Sequence, residues 1–161
     1  EPGRKLTLGV ALPKGDRQKW LVEKAVELGV AQLVPLVTER SVAKPKPGGI
    51  ERLQRYVIEA SKQCGRNRLM VIEPPRVFGE MVSNPPGDGM SLIAHAVAQA
   101  LSEDDIDSSS PVTALIGPEG GFSEHEIERA MDAGWRSVSL GKRILRVETA
   151  ALKIAASLLG D

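Results

Sequence analysis

Two spacings of apolar residues alternate along the chain. Short apolar runs at residues 6–12, 31–37, 69–72, 91–94, 112–116 and 137–140 read as β-strands. Between them, apolar residues recur at intervals of three and four, the signature of a helix with one buried face. Leu21, Ala25 and Leu28 form such a face in a helix that Asp16 caps and Gly29 ends. Ile50, Leu53, Val57, Ala60 and Cys64 form a second stripe, which places Cys64 in the core and ends at Gly65. Residues 77–82 read as a short helix, and Ala151, Ile154, Ala155, Leu158 and Leu159 form the apolar face of a final helix.

The helix after Gly121 has the clearest start signal. Ser123 and Glu126 are spaced as a capping box, and Phe122 and Ile127 as a hydrophobic staple. A Pro/Gly/Lys loop covers residues 44–49, and a Ser/Asp-rich segment at 102–110 reads as an exposed loop or frayed helix. There is no internal repeat. Alternating strands and helices predict an α/β domain over residues 1–161, with a mainly parallel sheet and helices on both faces. Ligands of such sheets bind beyond the carboxyl ends of strands, which directs attention to the loops at Gly117 and Gly141.

Composition narrows the picture. The 161 residues are 42% hydrophobic and 26% charged, ordinary for a globular domain, and with only 3% aromatics the core must be aliphatic. The single cysteine excludes an internal disulfide and fits a reducing cytoplasm. No apolar run is long enough to span a bilayer, and no grouping of Cys and His has metal-ligand spacing, so neither membrane nor metal is expected. The formal net charge of zero argues against extensive phosphate contact. Basic residues nevertheless cluster at Lys14, Arg17 and Lys19, at Arg66 and Arg68, and at Lys142, Arg143 and Arg146, with residues 103–107 holding much of the balancing acid. The chain opens Glu1-Pro2-Gly3 rather than on Met, which reads as a processed protein or an excised domain.

Three loops carry candidate chemistry. In Gly117-Pro118-Glu119-Gly120-Gly121, glycines let a ligand approach the backbone, and the following helix start offers free N–H groups. Read alone, the segment also serves as a tight strand–helix turn, and it matches neither the dinucleotide nor the triphosphate glycine pattern. In residues 140–150, Ile144 and Leu145 are apolar within an otherwise basic loop. They either line a pocket for a flat apolar group or plug the core beneath. After Gly65, Arg66 and Asn67 either are solvated or contact phosphate or a base edge. His95 follows a strand and either approaches a ligand or is structural; His125 reads as a solvated surface residue.

Taken together, Gly-Pro-Glu-Gly-Gly at 117–121 and Leu-Gly-x-x-Ile-Leu-Arg-x-Glu-Thr-Ala at 140–150 resemble the two signature segments of bacterial 16S ribosomal RNA uridine-N3 methyltransferases, of the knotted SPOUT superfamily. Lys-Gly-Asp at 14–16, Glu-Leu-Gly-Val at 27–30, Thr-Glu-Arg-Ser at 38–41 and Gln-Cys-Gly-Arg-Asn at 63–67 are similar to that family too. The resemblance covers nearly the whole chain, and the family's small N-terminal RNA-binding barrel is expected to be absent from it. It implies a C-terminal deep trefoil knot, a homodimer with shared sites, S-adenosylmethionine as cofactor and small-subunit ribosomal RNA as substrate. It further implies cofactor contacts from His95, Gly117, Glu119, Gly120, Gly121, Leu140, Gly141, Ile144 and Leu145, and RNA contacts from Arg17, Arg66 and Asn67.

Methylation at N3 requires removal of a proton and stabilisation of charge on the uracil carbonyls. The expected catalytic residues are Arg146, which stabilises that charge, and Glu148, which orients Arg146 or takes the proton. The helix dipole favours a charged carboxylate in a first turn, so the orienting role is preferred. Two other readings stay open: a knotted 2′-O-ribose methyltransferase, and a non-catalytic RNA-binding or ribosome-assembly module.

Overall fold

A computed structural model of the chain describes residues 1–102, 106–107 and 109–160. The strands are β1 (Leu6–Val10), β2 (Gln32–Val37), β3 (Val71–Ile72), β4 (Arg76–Val77), β5 (Met90–Ala94), β6 (Val112–Ile116) and β7 (Arg136–Val138). The helices are α1 (Asp16–Glu27), α2 (Gly49–Cys64), α3 (Phe78–Ser83), α4 (Glu124–Asp132) and α5 (Val147–Leu159). The expected loop at 102–110, with its acidic stretch, falls in part outside the described residues.

The strands pair in parallel in the order β3-β2-β1-β6-β5-β7, with β4 also pairing with β2. The central strands β1 and β6 are buried along their whole length, which is why they read as continuous apolar runs. Successive side chains of a strand serve opposite faces. Leu92 joins the core formed with α1, α2 and α5, whereas its neighbour Ile93 joins a second core with Phe78, Met81, Ile127 and Trp135 of the α3–α4 side. Helices therefore cover both faces, as the alternation predicts. The fully buried Ile154 of α5 sits in the larger core, where truncation to Ala would cost about 2–5 kcal/mol.

Local signals decide where the elements begin. The α4 start is as the sequence predicts: the Glu126 N–H donates to Ser123 Oγ (3.1 Å), the Ser123 N–H donates to Glu126 Oε1 (2.9 Å), and Phe122 and Ile127 share the second core. The cap of α1 differs. Gly15 occupies the N-cap with a left-handed φ of 64°, and Asp16 is the first helical residue, where its carboxylate favours the dipole without capping. Cys64 is exposed, contrary to the stripe reading. The buried face of α2 is Leu53, Val57, Ala60 and Ser61, and residues 62–64 are exposed. Periodicity fixes which face points inward, not how far the neighbouring layer reaches. β7 ends at Val138, two residues before the expected end, which leaves Leu140 in the following loop.

Candidate active site

Three strands end at one place. β5 runs into residues 94–96, β6 into 117–122 and β7 into 139–145, and with Val147 and Ala150 of α5 these segments line a cleft of about 340 Å³. This is the carboxyl edge of the sheet, where a parallel fold binds its ligands.

Each loop is held by contacts of its own. After β6, the Gly121 N–H donates to Pro118 O (2.8 Å), and Gly121 has a φ of 72°, which only glycine adopts without strain. A Cβ on Gly117 would lie 3.1 Å from the Phe122 nitrogen, so the turn closes tightly on itself. From the loop after β2, Arg40 donates to the Gly120 carbonyl (2.9 Å), and the Glu39 N–H donates to Glu126 Oε2 (3.3 Å). After β7, Gly141 has a φ of 116°, its N–H donates to Ser139 Oγ (3.2 Å), and Lys153 of α5 donates to the Leu140 carbonyl.

Of the expected cofactor residues, all nine line the cleft: His95, Gly117, Glu119, Gly120, Gly121, Leu140, Gly141, Ile144 and Leu145. His95 is half-buried, and its backbone N–H donates to Val138 O (2.9 Å), which ties β5 to β7. Ile144 is 99% exposed, so it does not plug the core. Ile116, Phe122, Leu140 and Leu145 give the cleft an apolar wall, and the two glycine loops bring backbone polar groups beside it. An adenosyl group, flat and apolar on its faces and polar at its edges, fits such a donor set.

Arg146 and Glu148 stand where the cleft meets α5. Arg146 is the exposed N-cap residue, with extended φ and ψ of −63° and 154°. Glu148 is 5% exposed, and its Oε2 has no hydrogen-bond partner among the described residues. Its charge partner is Arg17 of α1, whose Nη1 lies 3.8 Å away, in ion-pair but not hydrogen-bond range. Arg17 Nη2 also donates to Glu119 (3.3 Å). Among the described residues no such contact joins Glu148 to Arg146, so the structure gives Glu148 a different arginine from the expected one.

The remaining RNA candidates lie outside the cleft. The Arg66 side chain is 8% exposed and donates to the carbonyls of Val26 (3.3 Å), Gly29 (3.2 Å) and Val30 (2.8 Å), while also pairing with Glu1. It fastens the α1–β2 turn and has little left to offer a phosphate. Asn67 is exposed. Two residues that hold the cleft, Arg40 and Lys153, are not singled out by the sequence alone. Arg40 does lie within the 38–41 segment of family resemblance, whereas nothing in the helical pattern marks Lys153. Among the described residues, no group of three or more His, Cys, Asp or Glu could hold a metal ion, and no helix is long and apolar enough to cross a membrane.

Comparison with known proteins places this geometry in a family. The RNA methyltransferase domain family matches residues 1–159. The ribosomal RNA small subunit methyltransferase E of Synechocystis is 37% identical over 90% of this chain, and that of Mesomycoplasma hyopneumoniae is 31% identical over 100% of it. The chain spans 50% of the first protein and 72% of the second. The crystal structure of the Neisseria gonorrhoeae ribosomal RNA small subunit methyltransferase E, bound to S-adenosyl methionine, superposes with a TM-score of 0.89 at 35% identity, over 98% of this chain and 66% of that one. This chain belongs to the RNA methyltransferase domain family and, within it, to the ribosomal RNA small subunit methyltransferase E group.

Proposed function

We propose that this domain methylates small-subunit ribosomal RNA with S-adenosylmethionine as methyl donor, at N3 of a uridine. The observation that carries the reading is the cleft itself. Two glycine loops and an apolar wall lie at the carboxyl edge of a parallel sheet, and two arginines and a buried carboxylate stand at its α5 end.

When bound, S-adenosylmethionine supplies an electrophilic methyl group. Residues 117–121, Leu140, Gly141, Ile144 and Leu145 would hold it, largely through backbone groups, with His95 at the β5 side. Arg146, exposed and without an ion pair among the described residues, would stabilise negative charge on the uracil carbonyls as the N3 proton passes to solvent water. Glu148 holds Arg17 at the cleft edge, and Arg17 faces the RNA. The main contribution of the protein is alignment of base and methyl donor in the cleft. Asn67, on the exposed loop after α2, is a further RNA contact.

The family's trefoil knot belongs to this reading as well. β7 lies at one edge of the sheet, whereas α5 packs at its centre against β1, β6 and α1. The chain after residue 138 must therefore return across the carboxyl edge, as a knotted C-terminal segment does. A homodimer with shared sites and a cytoplasmic location complete the proposal.

The test is incubation of the chain with small-subunit RNA or particles and methyl-labelled S-adenosylmethionine, followed by nucleoside analysis. N3-methyluridine is the expected product. A 2′-O-methylated nucleoside would identify a ribose methyltransferase, and cofactor binding without transfer to any of these substrates would favour an assembly module.

A further inference from the structure

A second cleft has a volume of about 520 Å³. Its floor is apolar, with Leu12, Leu36 and Leu53 among the residues that form it. Its polar side chains are Lys14, Gln18, Lys44, Lys46 and Arg52, and no acidic residue lines it among the described residues. None of the four cations has an ion pair or side-chain hydrogen bond among the described residues, and all four are exposed. In a chain whose formal net charge is zero, and whose other basic residues include Arg17, Arg66, Lys24 and Arg76 in ion pairs, four such cations around one cavity are a concentration of unbalanced positive charge. The first turns of α1 and α2 add to it. Gly15 and Gly49 line the cleft, and neither helix has a side-chain cap for its free N–H groups.

Two segments connect this cleft to the cofactor cleft. Gln18 of α1 lines the basic cleft, while the preceding Arg17 pairs with Glu119 and Glu148. The loop between β2 and α2 supplies Lys44 and Lys46 to one cleft, while its Arg40 holds the Gly120 carbonyl of the other. We propose that the basic cleft seats the phosphodiester backbone of the RNA strand whose target base enters the cofactor cleft. The proposal rests on the RNA-methylating reading above and adds to it the side from which the strand arrives. Exposed cations without acidic partners around a cavity are the chemistry of phosphate recognition.

The experiment compares two triple variants of the whole chain. Lys44→Ala/Lys46→Ala/Arg52→Ala empties the cleft of three cations. Lys5→Ala/Arg55→Ala/Lys62→Ala removes equal charge from exposed sites outside it. Affinity for a small-subunit RNA fragment and for an unrelated RNA hairpin is measured by fluorescence anisotropy across a salt series, and cofactor affinity by calorimetry. The expected result for the cleft triple is about tenfold or greater loss of RNA affinity. Its salt slope should be shallower by about 2, at about 0.7 for each phosphate no longer neutralised. Cofactor affinity is unchanged, and the control triple stays near wild type. Equal losses in both triples, a loss in neither, or no RNA binding by the wild type would overturn the proposal. If the cleft triple alone loses RNA while wild type methylates no ribosomal substrate, the phosphate site stands and the methylation reading falls.

Discussion

Arg17 Nη1 lies 3.8 Å from the buried carboxylate of Glu148, so the first turns of α1 and α5 meet through opposite charges. Glu148 Oε2 has no hydrogen-bond partner among the described residues, and Arg17 is therefore its compensation for burial. Replacing Arg17 with Ala leaves a buried carboxylate without a charge partner. Because the arginine side chain is 35% exposed, solvent screens the pair, and the expected loss of stability is about 1–2 kcal/mol. Glu148→Gln removes the charge that needs compensation, so Arg17→Ala should cost much less in that background. A double-mutant cycle by denaturant unfolding reads the coupling, and additivity of the two changes would show that the pair does not interact.

The glycines of the cleft proposed to hold the cofactor should separate folding from binding. A Cβ at Gly120 meets only Arg40 side-chain atoms, at 3.5 Å and beyond, and its φ is not in the left-handed region. Gly120→Val should therefore fold with little change in melting temperature and still lose cofactor affinity by about tenfold or more, since Gly120 lines the cleft. Gly117→Val instead presses on the Phe122 backbone nitrogen and should lower the melting temperature itself. Calorimetry and thermal unfolding of both variants check this. Full cofactor affinity in Gly120→Val would place the ligand elsewhere.

Most of the cleft was legible because its signals are local. A glycine that turns a strand into a helix, a capping box and an apolar pair in a basic loop are each written within a few adjacent positions. Ser123 with Glu126, Gly121 and Gly141 are of this kind. What could not be read depends on distance in space. The ion pair between Arg17 and Glu148 joins residues far apart in the chain, and the contact of Arg40 with Gly120 does the same. Arg66 shows the reverse. An arginine after a C-capping glycine reads as a free surface cation, and only the packed turn of α1 onto β2 reveals the three carbonyls that occupy it. The neutral total charge likewise averages paired and unpaired cations, so it does not reveal where the unpaired ones gather.

Arg146 should differ from the glycines in what it loses. Arg146→Ala removes an exposed side chain that makes no ion pair or side-chain hydrogen bond among the described residues. Stability and cofactor affinity should stay near wild type while methyl transfer falls by about a hundredfold or more, the scale of losing one charge-stabilising donor. Single-turnover transfer assays at saturating cofactor check this. Wild-type rates in Arg146→Ala would mean that another group stabilises the reacting base.

A homodimer should be present at micromolar concentration. Ile144 is 99% exposed at the mouth of the cleft, and Trp20 of α1 is 45% exposed. A second copy of the chain would take these side chains out of water. Light scattering is expected to report twice the chain mass. A monomer under these conditions would remove the shared-site part of the proposal.

Arg66 should prove structural rather than RNA-binding. Its guanidinium is nearly buried and donates to three backbone carbonyls at the end of α1; Val26 O also accepts the Gly29 N–H, so Arg66→Ala strands the Gly29 and Val30 carbonyls and is expected to cost about 2–3 kcal/mol. For a chain of this size that lowers the melting temperature by roughly 4–12 °C. RNA affinity of the folded variant should be unchanged. The pairing with Glu1 also makes a pH prediction. The Arg66 hydrogen bond holds the Glu1 carboxyl below its ordinary value of 4.5. A carboxyl depressed in the folded state contributes stability above its unfolded value, and that contribution is lost as the pH falls through the folded value. Wild type should therefore lose this small increment below about pH 4.5, and Arg66→Ala, which has no such increment, should show a shallower acid dependence there. Melting temperatures of both proteins from about pH 7 down to about pH 3 make the comparison. An Arg66→Ala protein as stable as wild type, with weakened RNA binding, would return this arginine to the nucleic-acid surface.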